Sequence, residues 1–296
     1  MDSFKAKLVI VLLKLLATLS LKNAQRLGAC IGRALWMGDS RSTQVTKDNI
    51  ELCFPELSTE AQQELIKQSL IETGKLFAEF GMVWEWPTEK TLSKIRAVKG
   101  KEYLDDIVSK GKGVIVLAPH HGNWEIVGLY LSTLRPMAAL YKPPKIKALE
   151  AYMSGVRGRH GSELVPTNKR GVIRLFSILS NKGMVGILPD QVPGGNGGIN
   201  APFMGVPANT IKLVARLINR TDCEVVSLCA ERLPNAEGFD MVFRPADPEI
   251  YSDDVETSVA ALNRSVENCV RDNPDQYQWE YKRFKGMRIN GNKVYK

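Results

Sequence analysis

The chain has 296 residues, of which 44% are hydrophobic and 24% are charged, an ordinary balance for a globular protein. That balance argues against a disordered tail protein, a collagen-like chain and a polytopic membrane protein. The 40 lysines and arginines exceed the 32 acidic residues, and the resulting net charge of +8 favours an anionic partner. Nucleic acid, an anionic membrane surface and an acidic protein all meet that description.

The five cysteines are odd in number and form neither a C-x-x-C pair nor the Cys/His spacing of a zinc site. A disulfide framework would leave one of them unpaired. We therefore expect reduced, mostly buried thiols in a reducing compartment, and no metal site.

The N-terminus is strongly apolar from Leu8 to Leu21. This run of 14 residues is shorter than the ~20 that a spanning helix needs, and it contains a lysine. At ~100° per residue, the basic side chains fall on one arc and the apolar ones fill the rest. These basic residues are Lys7, Lys14, Lys22, Arg26 and Arg33.

The pattern predicts one helix over residues 4–36 that lies in a membrane interface. Lys14, Lys22 and Arg26 would then face lipid phosphates. The alternatives are a helix that spans the membrane and a core helix with a solvated basic face. We expect residues 1–36 to form this element and residues 37–296 to form one further domain.

The rest of the chain alternates predicted helices with predicted strands. Helical periodicity predicts helices over residues 59–80, 103–110, 124–134, 149–158, 171–181, 209–218 and 255–271. Apolar runs predict strands over residues 114–118, 184–188, 223–230 and 239–244. This alternation indicates an α/β fold in which helices flank a sheet.

The strongest chemical signal is the segment HHGNWE, residues 120–125. His120 follows a predicted strand, where open α/β sheets place their sites. From the first turn of the next helix, the Glu125 carboxylate could reach back to the imidazole and make a general base. The alternatives are a capping or packing histidine and a zinc site built from His120, His121 and Glu125. Because there is no nucleophile motif, the base would activate a substrate hydroxyl or water.

Two further polar residues are candidates for the same site. Arg159 lies in a glycine-flanked basic loop and could bind a phosphate or an oxyanion, or be solvated. Asp190 follows the strand predicted over residues 184–188. It could position Arg159, close the site or cap a turn.

Near the C-terminus, residues 277–288 interleave aromatic rings with cations. Such a stretch suits single-stranded nucleic acid, a phospholipid interface or an ordinary edge strand. We favour the lipid, which predicts membrane contact by Trp279 and no nucleic-acid partner.

The segment HHGNWE resembles the H-x₄-(D/E) motif of the glycerolipid acyltransferases. Most of the chain resembles one branch, the bacterial lipid A biosynthesis late acyltransferases of the lauroyl/myristoyl type. Further matching pieces are NIELCFPELS (49–58), YKPPK (141–145), GILPDQ (186–191), PFMG (202–205) and QYQWEYKRFK (276–285). Lys142 departs from the expected arginine, and WEYKR (279–283) lacks an expected further basic residue near Glu280 or Tyr281. Both departures bear on substrate head-group contacts.

The resemblance implies a mixed sheet flanked by helices, the glycerol-3-phosphate-acyltransferase-like sandwich, with an N-terminal membrane-associated helix. It also implies acyl transfer from acyl carrier protein, without another cofactor, to a hydroxyl of a 3-hydroxyacyl chain on a lipid A precursor. His120 would deprotonate that hydroxyl, and Glu125 would orient His120. Backbone N–H groups near Asn123 and a basic side chain would stabilise the oxyanion. The expected location is the cytoplasmic face of the bacterial inner membrane, on an anionic lipid surface.

Two alternatives remain open. One is an acyltransferase of the same superfamily that acts on another phospholipid or glycolipid. The other is a non-catalytic membrane- or nucleic-acid-binding protein. The motifs do not encode the acyl length, because the pocket that measures the chain is assembled from distant residues.

Overall fold

The computed structural model describes residues 2–38, 40–159, 161–289 and 291–295. The helices are α1 Asp2–Ala17, α2 Leu21–Met37, α3 Arg41–Cys53, α4 Thr59–Glu85, α5 Thr88–Leu92, α6 Lys101–Ser109, α7 Trp124–Leu134, α8 Glu150–Gly158, α9 Lys169–Ser180, α10 Leu213–Ile218 and α11 Val255–Asp272. The strands are β1 Ile95–Lys99, β2 Gly113–Leu117, β3 Met137–Tyr141, β4 Glu163–Pro166, β5 Met184–Ile187, β6 Gly198–Phe203, β7 Val206–Ile211, β8 Cys223–Arg232, β9 Phe239–Pro245, β10 Arg288–Ile289 and β11 Asn292–Lys293.

Seven strands form the main sheet in the order β1-β9-β8-β2-β5-β3-β4. The β8–β9 pair is antiparallel and the other neighbours are parallel, so the sheet is mixed, as expected. Every residue of β2 is buried, which explains its continuous apolar run. Val114 and Val116 pack with α6 and α7 on one face, while Ile115 and Leu117 pack with α9, α10 and α11 on the other.

The helix predicted over residues 209–218 is partly wrong. Residues 209–211 belong to β7, which pairs with β6 in an antiparallel hairpin, and the helix begins at Leu213. Burial alternates along β7 with the period of a half-buried strand, and this period competes with the helical one. Strands β1, β3, β4, β6, β10 and β11 were not predicted. Strands β1 and β4 are short, partly exposed edge strands and therefore have no continuous apolar run.

The N-terminus forms two helices, so the prediction of one helix over residues 4–36 is wrong. The chain breaks between them, where the Ser20 hydroxyl caps α2 by accepting a bond from the Asn23 N–H at 3.3 Å. Helix α2 packs closely on α4, because a Cβ on Gly28, Gly32 or Gly74 would lie under 3 Å from the main chain of the opposite helix. The domain boundary after residue 36 stays a prediction.

Helix α1 presents an apolar stripe to the exterior. Its side chains are 52–73% exposed and recur at helical spacing: Phe4, Leu8, Val11, Leu12 and Leu15. Lys14, Lys22 and Arg26 are also exposed. Within the described residues, no helix has both the length and the apolar character needed to cross a bilayer.

Membrane contact by Trp279 is ruled out, because this side chain is 0% exposed and lies in the core. Its ring packs edge-on against Phe54 and Tyr277, and its indole N–H donates to the Pro274 carbonyl at 2.7 Å. The Asn49 side-chain amide donates to the Trp279 carbonyl at 2.6 Å and fixes the backbone. The aromatic residues of this segment therefore serve packing.

Candidate active site

His120 pairs with Asp190 where two neighbouring strands end. The Asp190 carboxylate accepts a bond from the imidazole Nδ1 and a second one from the His120 backbone N–H, both at 2.8 Å. Strands β2 and β5 are adjacent and parallel, so the loops after them meet at one edge of the sheet. The structure thus corrects two predictions: Asp190, and not Glu125, orients His120, and Asp190 does not position Arg159.

The bond to Asp190 determines which ring nitrogen of the neutral imidazole carries the hydrogen. Burial alone would raise the pKa of Asp190, but the His120 charge and hydrogen bonds lower the pKa, so the carboxylate stays ionised. An ionised carboxylate accepts a hydrogen bond from Nδ1–H, so the neutral imidazole carries its lone pair on Nε2. The Gln191 side-chain nitrogen lies 3.1 Å from Nε2. His120 is thus built as a base whose free nitrogen is covered by one amide.

Glu125 bonds to Arg157 instead of His120. Both carboxylate oxygens of Glu125 accept from the guanidinium, and the Glu125 side chain is 5% exposed. The guanidinium also lies over the rings of Trp84, Trp124 and Tyr141, at 5.7–5.9 Å from their centroids. The pair therefore fixes the aromatic wall beside His120. The only sequence signal for Arg157 is its place near the end of a predicted helix.

The Arg159 guanidinium caps a helix, and Arg159 also lines the cavity described below, so its contact with a phosphate or an oxyanion stays a prediction. Its guanidinium donates to the carbonyls of Val83, Trp84 and Trp86, at 2.7–3.3 Å. These carbonyls lie at the C-terminal end of α4, where helical carbonyls lack helical partners. Within the same basic loop, His160 lies outside the described residues.

Three backbone N–H groups just before α7 already have partners and are not free to act as oxyanion donors. The backbone N–H of His121, Gly122 and Asn123 donates to carbonyls within the protein at 2.7–2.9 Å. The Asn123 side chain caps α7 and donates to Glu79 at 2.9 Å. Asn123 is therefore a positioning residue for the loop that carries His120.

Asn123 contacts a buried ionic cluster through Glu79, and the sequence gives no local signal for this cluster. The Arg232 guanidinium donates twice to Glu79, both at 2.7 Å, and once to Glu72 at 2.6 Å. Burial alone would lower the pKa of Arg232, but the two carboxylates outweigh it and raise the pKa. Gln25 donates a further bond to Glu79 at 2.8 Å. The cluster ties α2 and α4 to the end of β8 and to the His120 loop.

His121 is fully buried and its Nε2 lies 2.9 Å from the Asn273 carbonyl oxygen. This contact makes Nε2–H the donor, because a carbonyl oxygen only accepts. Burial lowers the pKa of His121 to about 4, so the ring is neutral at pH 7. His121 is thus a structural residue rather than a second base.

We expect the free energy of unfolding to fall as the pH drops from about 6.5 to about 4. In this window the unfolded state binds a proton at residue 121 that the native state excludes, for a total of roughly 3 kcal/mol. Urea denaturation at a series of pH values measures the slope. The variant His121→Gln keeps an N–H donor but does not titrate, so its slope should be flatter. An unchanged slope in this variant would contradict the assignment.

A cavity of about 830 Å³ opens beside His120. This volume lies in the usual range for small-molecule sites, ~300–1,000 Å³. His120, Glu125, Arg157, Arg159 and Gln191 contribute polar groups to its lining, and much of the remaining lining is apolar. Lys142 and Arg216 are exposed and also line it, so cations stand at its rim. The structure thus places Lys142 beside the cavity, as its predicted substrate contact requires.

Comparison with known proteins bears on this arrangement. The profile of the family described as bacterial lipid A biosynthesis acyltransferase matches residues 2–286. The chain is 26% identical over 264 residues to the lipid A biosynthesis lauroyltransferase of Escherichia coli K12, covering 88% of this chain and 84% of that protein. It is 27% identical over 274 residues to the palmitoleoyltransferase of the same strain, covering 91% and 87%. It is also similar to the myristoyltransferase of that strain, 27% identical over 263 residues, covering 88% and 79%.

Proposed function

The chain belongs to the bacterial lipid A biosynthesis acyltransferase family, and we propose that it transfers a fatty acyl chain from acyl carrier protein to a lipid A precursor. The acceptor is a hydroxyl of a 3-hydroxyacyl chain, and the product is an acyloxyacyl ester. The observation that carries this proposal is the Asp190-bound His120 at the polar end of a largely apolar cavity. Acyl transfer from a thioester to a hydroxyl needs a base and a cavity that can hold the acyl chain.

In the proposed reaction, the acceptor hydroxyl displaces the Gln191 amide from His120 Nε2. As Nε2 takes the proton, the hydroxyl oxygen attacks the thioester carbonyl carbon and forms a tetrahedral oxyanion. The C–S bond then breaks, and the leaving sulfur takes the proton from the imidazolium. Asp190 stabilises the imidazolium between the two transfers. The products are the ester and the free thiol of the carrier.

The displaced Gln191 amide is our candidate donor to the oxyanion. It lies 3.1 Å from Nε2, next to where the attacked carbonyl must sit, whereas the loop N–H groups are already bonded. We expect Gln191→Ala to reduce kcat by about 10²–10³-fold, the usual loss for one such donor. Single-turnover transfer from a saturating acyl donor measures it. The control Gln278→Ala removes a neighbouring amide; an equal loss there would contradict a specific role.

We propose that the protein works on the cytoplasmic face of the bacterial inner membrane and that the exposed stripe of α1 enters the lipid. Each leucine buried in acyl chains contributes about 1.5–3 kcal/mol and each cation near an anionic surface about 1 kcal/mol, so the apolar contribution dominates. Lys14, Lys22 and Arg26 would meet lipid phosphates. The rim cations Lys142 and Arg216 would meet the phosphates of the acceptor.

Changing Leu8, Leu12 and Leu15 together to glutamine should release the protein from anionic vesicles in a flotation assay. Charge reversal at Lys14 and Lys22 should weaken binding without abolishing it. Ile173→Gln is the matched control, because Ile173 is 67% exposed but lies on α9. Full retention of the triple variant on vesicles would show that another surface makes the contact.

Mass spectrometry tests the reaction itself. Purified protein with acylated acyl carrier protein as donor should add one acyl mass to lipid A precursors isolated from cells that lack the protein and none to a lysophospholipid. Lipid A from cells that lack the protein should be lighter by the same mass. Acylation of the lysophospholipid instead would favour the alternative acceptor class, and no transfer to either would refute the proposal.

A further inference from the structure

The apolar part of the cavity is a slot between α7 and the sheet. Helix α7 lines it with residues 124, 125, 127, 128, 129 and 131, and four of these, 124, 127, 128 and 131, have the spacing of a single helical face. On the sheet side, Ala139 and Gly186 are cross-strand partners on β3 and β5 that both line the slot. Ala139 leaves space in the slot because its side chain is small, and Gly186 makes room for the Met137 side chain, whose Cε would lie 2.9 Å from a Cβ at residue 186.

The slot has a mouth, a middle and a floor. Trp124 lies at the mouth, where its ring centroid is 4.9 Å from that of His120. Leu131 and Met137 are buried at its far end, 1% and 5% exposed. Seven residues of helix separate Trp124 from Leu131, so the depth is ~10 Å. Gly128 lies at the middle level, one turn from the mouth.

Gly128 is an unusual residue for its position. The side chains beside it in α7 are buried, yet Gly128 itself is exposed, because it faces the cavity. A Cβ added there would meet no atom within 4 Å. Glycine is among the least favourable residues in a helix interior, so neither helix formation nor close packing explains it. Its effect is to leave the middle of the slot open.

We propose that Gly128 is a specificity-determining residue that sets the length of the acyl chain the slot accepts. This inference rests on the proposed function. With the thioester carbonyl at His120, the chain runs past Trp124, crosses Gly128 and ends against Leu131 and Met137. A side chain at residue 128 would close the slot at its middle and leave room only for shorter chains.

Acyl carrier proteins loaded with chains from octanoyl to palmitoyl test the proposal with Gly128→Ala and Gly128→Met. We expect the preferred chain to become shorter in steps, with Gly128→Met losing about 10–200-fold in kcat/KM on the chain preferred by the wild type relative to shorter ones. Gly155→Met is the matched control. Gly155 is also exposed within a helix, and a Cβ there also meets no atom within 4 Å, but it does not line the cavity.

Two results would overturn the proposal, provided that the Gly128→Met protein melts at or above the wild-type temperature. One is an unchanged preference for acyl length, and the other is an equal loss of kcat/KM on every donor. Equilibrium binding of free fatty acids of the same lengths separates this result from failure of the proposed function, because binding needs no catalysis. If the wild type transfers no acyl chain, the proposed function fails. If Gly128→Met binds fatty acids with the same length preference as the wild type, the role of Gly128 is refuted independently of catalysis.

Discussion

Replacing Asp190 with asparagine is expected to reduce kcat by about 10³–10⁴-fold while the fold stays intact. The asparagine oxygen can still accept from the His120 backbone N–H, which is 2.8 Å from the carboxylate in the native protein. When that oxygen accepts from the backbone, however, the asparagine NH₂ group faces Nδ1, and this group cannot accept a hydrogen bond from Nδ1–H. The imidazole then loses its fixed tautomer and the carboxylate that stabilises the imidazolium. His120→Ala should cost at least as much, because it removes the base.

The pH dependence of kcat/KM distinguishes a positioning role of Asp190 from a merely structural one. Without the carboxylate the imidazolium is less stable, so the acid limb of the profile should move to lower pH in Asp190→Asn. Glu125→Gln is the matched control, since it makes the same chemical change next to Arg157. It should keep the wild-type limb even if the rate falls. A shifted limb in Glu125→Gln and an unshifted one in Asp190→Asn would reverse the assignment.

Replacing Arg232 with methionine is expected to lower the free energy of unfolding by about 3–5 kcal/mol. The change leaves the carboxylates of Glu72 and Glu79 buried, with their shared partner gone. It also loosens the support of Asn123, which bonds to Glu79. Urea denaturation measures the loss of stability.

Arg174→Met is the control for this prediction. Arg174 makes the same two-bonded contact with Glu163, but about half of each side chain is exposed. Exposed pairs contribute about 0–1 kcal/mol, so the control should be nearly neutral. If both variants lose the same free energy of unfolding, burial does not explain the contribution of the Arg232 cluster to stability.

Local pattern was enough to predict the class of fold and the position of the base. The apolar run before HHGNWE marks a strand buried on both faces, and the structure has that strand at Gly113–Leu117. The second apolar run, before PDQ, likewise ends in the loop that carries Asp190. Both predictions depend only on residues close in sequence, whose spacing reports periodicity directly.

Contacts between distant segments were not predictable in this way. Glu125 is five residues from His120, yet it bonds to Arg157, while the partner of His120 lies 70 residues away. Trp279 has the composition of a membrane-facing residue, but helices around it make it part of the core.

The sequence by itself therefore determined the four strands with long apolar runs, β2, β5, β8 and β9, and that a histidine follows the first of them. Only the tertiary structure decided that β2 and β5 are neighbours, which brings Asp190 to His120. It also decided that α8 approaches the first turn of α7, which gives Glu125 to Arg157. The physical reason is that strand order and helix docking follow from the burial of whole apolar faces, summed over many residues. A motif of six residues carries none of that information.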